Sequence, residues 1–378
     1  MISDNLVTII LNYLKFNEKN KFFDLSSYNL DYSNNNKITF EDFRFILQLA
    51  IGINLSNFKN DYIDSLTHIQ FLNISGCNIK ILPKELFGNK HLKKIDCSYN
   101  EITDIPVEIG NCKNLQNFNC DRNYVAVISS NIGNCVNLQE FYCNNNKITI
   151  IPSEIGDCVN LQKFYCYNNQ VAGIPSEIGN CINLKKFNCY GNRITIIPPE
   201  IGNCNKLQEF DFSINRVAVI PSEIGNCKNL KIFDCCDNKI TLIPSEIGNC
   251  KNLKKFSCNN NQVTVIPSEI GDCKNLTKFY CHRNKITIIP IEIGCCESLQ
   301  EFICSFNQVA VIPLEIKNCK NLREFDYSNN QIAVIPPDIG KLINLQKFDC
   351  SNNQMAVIPV DFDILYHEIF VNYHDLIK

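Results

Sequence analysis

Residues 138–160 read LQEFYCNNNKITIIPSEIGDCVN, and this 23-residue unit recurs along most of the chain. Its first leucine returns every 23 residues without an insertion, at Leu92, Leu115, Leu138, Leu161, Leu184, Leu207, Leu230, Leu253, Leu276, Leu299, Leu322 and Leu345. Ile69 extends the series to thirteen units. An asparagine stands eight residues after each leucine, at Asn100, Asn123, Asn146, Asn169, Asn192, Asn215, Asn238, Asn261, Asn284, Asn307, Asn330 and Asn353. A fixed period of this length predicts a solenoid of stacked units.

The alternation of residue types within the unit predicts a short strand. Phe141 and Cys143 are two residues apart and therefore point to one face of a strand, whereas Glu140 and Tyr142 point to the other. One unit cannot bury that apolar face alone, so neighbouring units stack and their strands form a parallel sheet. The asparagine follows the strand, where its amide can donate hydrogen bonds to adjacent turns and accept them. We therefore expect a buried ladder of asparagines beside the sheet.

The second half of the unit predicts turns on the opposite side. Ile151 and Ile155 continue the apolar core, and Pro152 prevents a helix from beginning before it. Gly156 is expected to supply a permissive turn. This side should therefore consist of short turns and 3₁₀ segments.

The unit L-x-x-F-x-C-x-x-N-x-I-x-x-I-P-x-E-I-G-x-C-x-N resembles the leucine-rich-repeat family, with Phe and Cys at two leucine positions. Its I-P-x-E-I-G half is similar to the 23-residue intracellular subtype of Scribble-type scaffolds and plant Ras-group repeat proteins. The resemblance implies an α/β fold: a right-handed solenoid with a parallel β-sheet on the concave face, short turns or 3₁₀ segments on the convex face, and helical caps. It also implies a non-catalytic function, the binding of a protein partner on the concave face.

Composition excludes several other classes. The chain has 36 basic and 39 acidic residues, a net charge of −3, which argues against a general nucleic-acid or anionic-membrane binder. The longest apolar runs fall short of the roughly 18 residues that a membrane span needs. Residues 6–11 are mostly apolar, but no basic segment precedes them, so we expect no secretory signal and a reducing, cytoplasmic location.

The 23 cysteines fall mainly into two columns, which we interpret as core positions. One is the second inward strand position, where Phe212 and Tyr327 replace cysteine in two repeats; the other lies on the turn side, where Leu342 replaces it. A position shared by these residue types is a packing position. Cys77, Cys236 and Cys295 lie outside both columns, and Cys236 is the best candidate for a reactive thiol.

The sequence offers no catalytic or cofactor site. Cys281 and His282 are adjacent in a strand and therefore point to opposite faces, which excludes a catalytic dyad. No glycine-rich phosphate loop or zinc-protease motif occurs. A column of cysteines, one per strand, cannot surround zinc tetrahedrally. We therefore expect no enzyme activity, cofactor or metal.

The ends of the chain lie outside the repeat register. We divide the chain into an N-terminal cap (1–68), thirteen repeats (69–363) and a C-terminal helical cap (364–378). Apolar residues at helical spacing in 1–68 favour an α-helical cap over the first repeat. Alternatively, residues 5–16 are similar to the helix that opens F-box domains. That resemblance implies a substrate adaptor of a ubiquitin ligase with a Skp1-type protein as partner.

Tyrosines mark the candidate binding site. Most outward strand positions are polar, but three consecutive repeats carry tyrosine, which is over-represented at interaction hot spots. Aspartates continue the same column, so a ligand with an apolar patch flanked by basic groups would fit both features. The candidate residues are Tyr142, Tyr165, Tyr167, Tyr190, Asp211 and Asp234. The alternative is that the tyrosines merely stack on one another; a second patch comprises Tyr280, His282, Ile303 and Phe306.

Overall fold

The computed structural model describes residues 22–24, 70–82 and 84–354. The chain forms two compact units, Met1–Leu184 and Lys185–Lys378. Both units consist of the same repeating element, a three-residue strand followed by a five-residue 3₁₀ helix. The sequence predicts this alternation. A strand of alternating polarity such as Glu140–Tyr142 is followed in the same repeat by a proline, here Pro152, which directly precedes the 3₁₀ helix.

Among the described residues the first unit contains six strands: β1 (Phe22–Asp24), β2 (Phe71–Asn73), β3 (Lys94–Asp96), β4 (Asn117–Asn119), β5 (Glu140–Tyr142) and β6 (Lys163–Tyr165). The second contains eight: β7 (Lys186–Asn188), β8 (Glu209–Asp211), β9 (Ile232–Asp234), β10 (Lys255–Ser257), β11 (Lys278–Tyr280), β12 (Glu301–Ile303), β13 (Glu324–Asp326) and β14 (Lys347–Asp349). Within each unit, successive strands pair in parallel and in direct register, as Phe256 does with Phe279. The thirteen strands β2–β14 confirm one parallel strand per repeat, and β1 is an addition that the sequence did not predict.

The turn side carries twelve 3₁₀ helices in the described part of the chain. They are η1 (Lys84–Gly88), η2 (Val107–Asn111), η3 (Ser130–Asn134), η4 (Ser153–Asp157), η5 (Ser176–Asn180), η6 (Pro199–Asn203), η7 (Ser222–Asn226), η8 (Ser245–Asn249), η9 (Ser268–Asp272), η10 (Ile291–Cys295), η11 (Leu314–Asn318) and η12 (Pro337–Lys341). Before most of them stands a proline whose carbonyl accepts the first turn's hydrogen bond, as Pro152 O does from Ile155 N at 3.1 Å. The prediction of 3₁₀ segments is therefore confirmed.

The predicted caps lie almost wholly outside the described residues. Within 1–68 only Phe22–Asp24 is described, and it forms a strand; the helical caps and the F-box-like segment stay predictions. Where the chain is described, no helix is long and apolar enough to cross a membrane.

From β4 to β14, one inward phenylalanine per strand forms the centre of the core; Leu72 and Ile95 take its place in β2 and β3. The rings stack along the sheet at one-strand spacing, with centroids 5.4 Å apart for Phe256 and Phe279 and again for Phe279 and Phe302. The aligned leucines and isoleucines are fully buried around them. Because most repeats supply the same buried side chains, the same packing recurs along each unit.

The asparagine ladder satisfies backbone groups that would otherwise be buried without partners. The side-chain oxygen of Asn261 accepts a hydrogen bond from Ile240 N at 2.9 Å. Its amide nitrogen donates to Cys235 O and Cys258 O, each at 3.0 Å, and to Asn259 O at 3.1 Å. One side chain thus joins two repeats, and equivalent bonds recur at the aligned asparagines. Asn261 itself is only 9% exposed.

The glycine of the turn is required by packing rather than by a left-handed backbone. A Cβ added to Gly156 would lie 2.4 Å from the main-chain oxygen of Glu177 in the next repeat. Its φ is not positive, so the expectation of a permissive turn at this glycine was wrong. Contact between successive 3₁₀ helices is what excludes a side chain here.

A left-handed residue precedes each asparagine of the ladder from Tyr99 onward. The aligned residue has φ near 53° in repeat after repeat. Asparagine and glycine tolerate this conformation, and the chain uses asparagine at Asn145, Asn168, Asn260, Asn329 and Asn352 and glycine at Gly191. Ile214 and Phe306 also adopt it, and both are 48% exposed. Bulky side chains are thus held in a conformation that they disfavour.

All 23 cysteines lie among the described residues, and each is a free thiol. The two columns are fully buried or nearly so, as the interpretation of packing positions predicted. Burial raises the pKa of Cys112 and of Cys135 to about 12. Burial, then the charge of Asp234, also raises the pKa of half-buried Cys236, which disfavours the reactive thiolate. Cys295 is exposed and is the more accessible thiol.

Candidate functional site

The side chains on either side of the inward phenylalanine form what we call the open face, the face of the sheet that is not packed on the core. The residues just before and after each phenylalanine are mostly half-buried, and their neighbours one repeat away stand directly beside them. Side chains at one strand spacing are about 4.8 Å apart, so contacts along a column are unavoidable. The candidate residues must therefore be judged by what they contact.

Tyr142 and Tyr165 form an edge-to-face pair on the open face of the first unit. Their ring centroids are 5.3 Å apart and the rings are inclined by 80°. The Tyr142 hydroxyl donates to Glu140 Oε2 at 3.0 Å, and Glu140 forms an ion pair with Lys163 at 2.8 Å. Both tyrosines are half-buried. The predicted adjacency is present, and the first ring is held from two sides.

The charges around this pair are mutually stabilising. Partial burial raises the pKa of Glu140, but hydrogen bonds from Lys163 and Tyr142 outweigh it, and the net pKa lies below its ordinary value. Burial, together with the bond to Glu140, raises the pKa of Tyr142. The carboxylate is therefore ionised and the phenol neutral at neutral pH, which fixes the direction of the hydrogen bond.

The other two tyrosines are placed by asparagine side chains. Tyr167 N donates to Asn144 Oδ1 at 3.0 Å, and fully buried Asn144 itself donates from its amide to Asp121. Tyr190 lies in the second unit, where its N–H donates to Asn188 Oδ1 at 3.1 Å. Both are half-buried. The expected contact between Tyr167 and Tyr190 stays a prediction.

Asp211 and Asp234 are register partners on adjacent strands of the second unit. Asp211 accepts hydrogen bonds from the Ser213 hydroxyl at 2.6 Å and from the Asn188 amide at 3.2 Å. Asp234 is paired with Lys255 at 3.2 Å. Burial, and then the neighbouring charge of Asp234, raise the pKa of Asp211 against the effect of the Ser213 bonds. A positive group brought close to the two carboxylates would relieve that repulsion.

The second patch is a mixed surface further along the same unit. Tyr280 is hydrogen-bonded to Glu301, and the Arg283 guanidinium lies 5.3 Å from the centre of the Phe306 ring. The fully buried Ser257 hydroxyl and His282 Nδ1 have no hydrogen-bond partner among the described residues. Burial, and then the charge of Arg283, lower the pKa of His282. Because both unpaired atoms are buried, the surface of this patch is formed by Tyr280, Arg283 and Phe306.

Sequence reasoning missed the ion pairs that anchor the open face. Glu140 with Lys163, Lys278 with Glu301, and Lys347 with Glu324 are each 23 residues apart in the first strand position. The alternation of opposite charges at that spacing was the available signal. No cluster of three or more metal-ligating side chains occurs in the described part of the chain.

Comparison with family models gives two matches. The model "Leucine Rich repeats (2 copies)" matches residues 136–180, 251–292 and 320–359. The model "Leucine Rich Repeat" matches residues 68–89, 91–112, 183–204 and 229–250. Together the matches cover more than half of the chain. A search of curated proteins found no match.

Solved structures of other repeat proteins are similar. The plant peptide hormone receptor RGFR1, solved in complex with RGF2, is 31% identical with a TM-score of 0.72 over 77% of this chain and 49% of the receptor. The chain thus spans about half the length of that receptor. The leucine-rich-repeat protein LIC12759 of Leptospira interrogans is 28% identical, with a TM-score of 0.59 and coverage of 79% and 88%. An internalin, InlF, from Listeria monocytogenes is 22% identical, with a TM-score of 0.66 and coverage of 78% and 84%.

Proposed function

Since the chain belongs to the leucine-rich-repeat family, we propose that it is a non-catalytic module that binds a protein partner through the open, concave face of its sheet. The receptor RGFR1, which shares the fold, was solved in complex with RGF2, and this supports a peptide or protein segment as the ligand. The 23 free thiols, most of them buried, favour a reducing, intracellular location. The repeat supplies a surface, and the variable strand positions supply its specificity.

The observation that carries the proposal is the ordered tyrosine pair. Tyr142 and Tyr165 stand half-exposed on the open face, and the hydrogen bond to Glu140 fixes the first ring before any partner arrives. An aromatic side chain that is already immobilised loses little further entropy on binding, which is typical of hot-spot residues. In the first unit we therefore assign the apolar contact to this pair.

We assign the contact with a basic group of the partner to the second unit. Asp211 and Asp234 stand side by side, with one lysine to balance them. A Lys or Arg side chain of the partner would be attracted by the pair and would lower the pKa of Asp211. Binding that depends on these residues should weaken with added salt, because half-exposed charges are screened.

An array of immobilised synthetic peptides, probed with the purified full chain, tests this assignment. We expect the bound peptides to be enriched in Lys or Arg and in large apolar residues. The double variant Tyr142→Ala, Tyr165→Ala should lose these peptides, and Asp234→Asn should reduce the preference for basic residues. The matched control is Tyr124→Ala, which removes a tyrosine that is exposed beyond the strand. Binding that survives the double variant would exclude the tyrosine pair, and Tyr280 and Phe306 would be tested next.

The F-box alternative concerns residues 1–68, which are described only at Phe22–Asp24. It proposes a ubiquitin-ligase adaptor that uses the same open face for substrate selection. Co-purification of a Skp1-type protein with the full chain, lost on deletion of residues 5–16, would support it. Without co-purification the N-terminal segment would be a cap alone.

A further inference from the structure

A row of exposed aliphatic side chains runs along the flank of the second unit, away from the open face. The same position of seven consecutive repeats, every 23rd residue from Ile196 to Val334, is occupied only by Ile, Val or Leu. Each of these side chains is between 48% and 70% exposed. We call this row the aliphatic stripe. Large continuous apolar patches are rare on monomeric proteins and mark interaction surfaces.

The preference of a strand-like backbone for β-branched residues does not by itself explain why the stripe is apolar. The backbone at this position is strand-like, since Val265 and Ile288 form a parallel bridge, and a strand favours β-branched residues. Threonine would satisfy that preference on an exposed surface, and the chain uses it at the neighbouring exposed positions Thr241 and Thr264. Leu242, which is 61% exposed, is not β-branched. An apolar side chain is therefore retained at the stripe for a reason other than local structure.

Two rows of opposite charge border the stripe. Three residues before it stand the exposed basic groups Arg193, Arg216, Lys239 and Lys285. Four residues after it stands a glutamate in each repeat from Glu200 to Glu315. Among the described residues none of these charges is in an ion pair. A row of like charges with no counter-charge favours a partner that supplies the opposite row.

We propose that the stripe is the interface at which two copies of this chain associate. A two-fold axis parallel to the stripe places stripe against stripe and sets the basic row of each copy opposite the glutamate row of the other. An axis across the stripe would instead place like charges opposite each other. Charge complementarity therefore favours a second copy of the chain as the partner. It also favours the arrangement in which the two stripes run in the same direction.

The dimensions suit a stable dimer. Seven positions at about 4.8 Å spacing extend for about 29 Å. The basic row is three extended residues away on one side, and the glutamate row is four residues away on the other, the last two in a 3₁₀ helix, which gives a width of about 20 Å. The footprint is thus about 600 Å² per copy, or about 1,200 Å² in total, which exceeds the roughly 1,000 Å² expected of a specific interface.

Analytical ultracentrifugation of the full chain over a concentration series tests the proposal. We expect a species of twice 43.3 kDa. The triple variant Val219→Thr, Leu242→Thr, Ile288→Thr should raise the dissociation constant of the dimer at least tenfold. The matched control is Val136→Thr, Val159→Thr, Ile182→Thr, which changes three exposed aliphatic residues of the first unit and should leave the dimer intact. The stripe variant should still bind peptides, which separates this interface from the open face.

Charge reversal tests the arrangement. Arg216→Glu with Lys239→Glu should weaken the dimer, and adding Glu223→Lys with Glu246→Lys to the same chain should restore it. A monomeric parent chain, equal loss in the stripe and control variants, or failure of the fourfold reversal to restore association would each overturn the proposal. So would a monomer that uses the stripe to bind vesicles of phosphatidylcholine and phosphatidylserine.

Discussion

The position that a Cβ of Gly225 would occupy lies 2.5 Å from the main-chain oxygen of Glu246, one repeat further along the chain. The closest atom is backbone, so it cannot move aside as a flexible side chain would. The same approach recurs at the aligned glycines Gly202, Gly248 and Gly271. The separation of successive 3₁₀ helices is therefore set by the absence of a side chain.

Gly225→Ala should lower the free energy of unfolding by about 1–3 kcal/mol, the usual range for overpacking a tight contact. The matched control is Gly340→Ala, because none of the described residues lies within 4 Å of a Cβ at Gly340. That variant should be neutral or slightly stabilising. Urea denaturation followed by circular dichroism measures both, and equal effects would show that the close approach does not govern the site.

Asn261→Ala should cost about 1–3 kcal/mol of stability, because Ile240 N and two carbonyls would lose their buried partner. Asn226→Ala, at an exposed position of η7, should change stability by less than about 0.5 kcal/mol. The two unfolding midpoints can be compared in one denaturant series. A midpoint for Asn261→Ala that equals the parent's would contradict the role of the ladder.

Tyr327→Phe should stabilise the chain by about 1 kcal/mol or more. The Tyr327 hydroxyl is fully buried and has no hydrogen-bond partner in the described part of the chain, and Phe212 occupies the aligned position in another repeat. Tyr142→Phe is the control, since its hydroxyl does have a partner in Glu140. Thermal unfolding should show a rise in Tm for the first variant and none for the second.

Ile214→Asn should also raise stability, by about 1 kcal/mol, because Ile214 is held at φ 51° and asparagine tolerates that conformation. Ile182→Asn, at a similarly exposed isoleucine without positive φ, should bring no gain. If Ile214→Asn gains stability but loses peptide binding, the strained Ile214 side chain takes part in recognition. No gain in stability would mean that the strain is relieved elsewhere.

The chain should become unstable in alkaline solution. The thiols of Cys112 and Cys135 ionise at a pKa of about 12 in the folded chain, against 9.0 ordinarily. Since the folded pKa is the higher, the stabilisation is complete below pH 9 and is lost as the pH rises towards 12. Each such thiol contributes a slope of up to about 1.4 kcal/mol per pH unit. Cys112→Ala with Cys135→Ala should make the fall in stability measurably shallower; an unchanged slope would refute the assignment.

The regular part of the fold is predictable because the repeats bury side chains at the same aligned positions. The alternation of Phe141 and Cys143 with polar neighbours specified which face of each strand is buried, and proline specified where the 3₁₀ helix begins. The requirement for Gly156 was misassigned, because only the structure shows how closely the Glu177 backbone approaches.

The open face was less predictable than the core. Strand alternation places Tyr142 beside Tyr165 but does not determine the ring orientation or the bond to Glu140, which depend on side-chain rotamers. The left-handed column has a sequence signal in its frequent asparagines, but Ile214 and Phe306 obscure it. Side-chain contacts of this kind follow from packing, which sequence periodicity does not describe.

The constant 23-residue period also has a mechanical consequence. A chain pulled from both termini loses its terminal repeat first, since each inner repeat is held by two neighbours. Every repeat stripped in this way releases 23 residues, which is roughly 80 Å of contour length at about 3.5 Å per residue. Under load the molecule would therefore lengthen in equal steps, one for each repeat that unfolds.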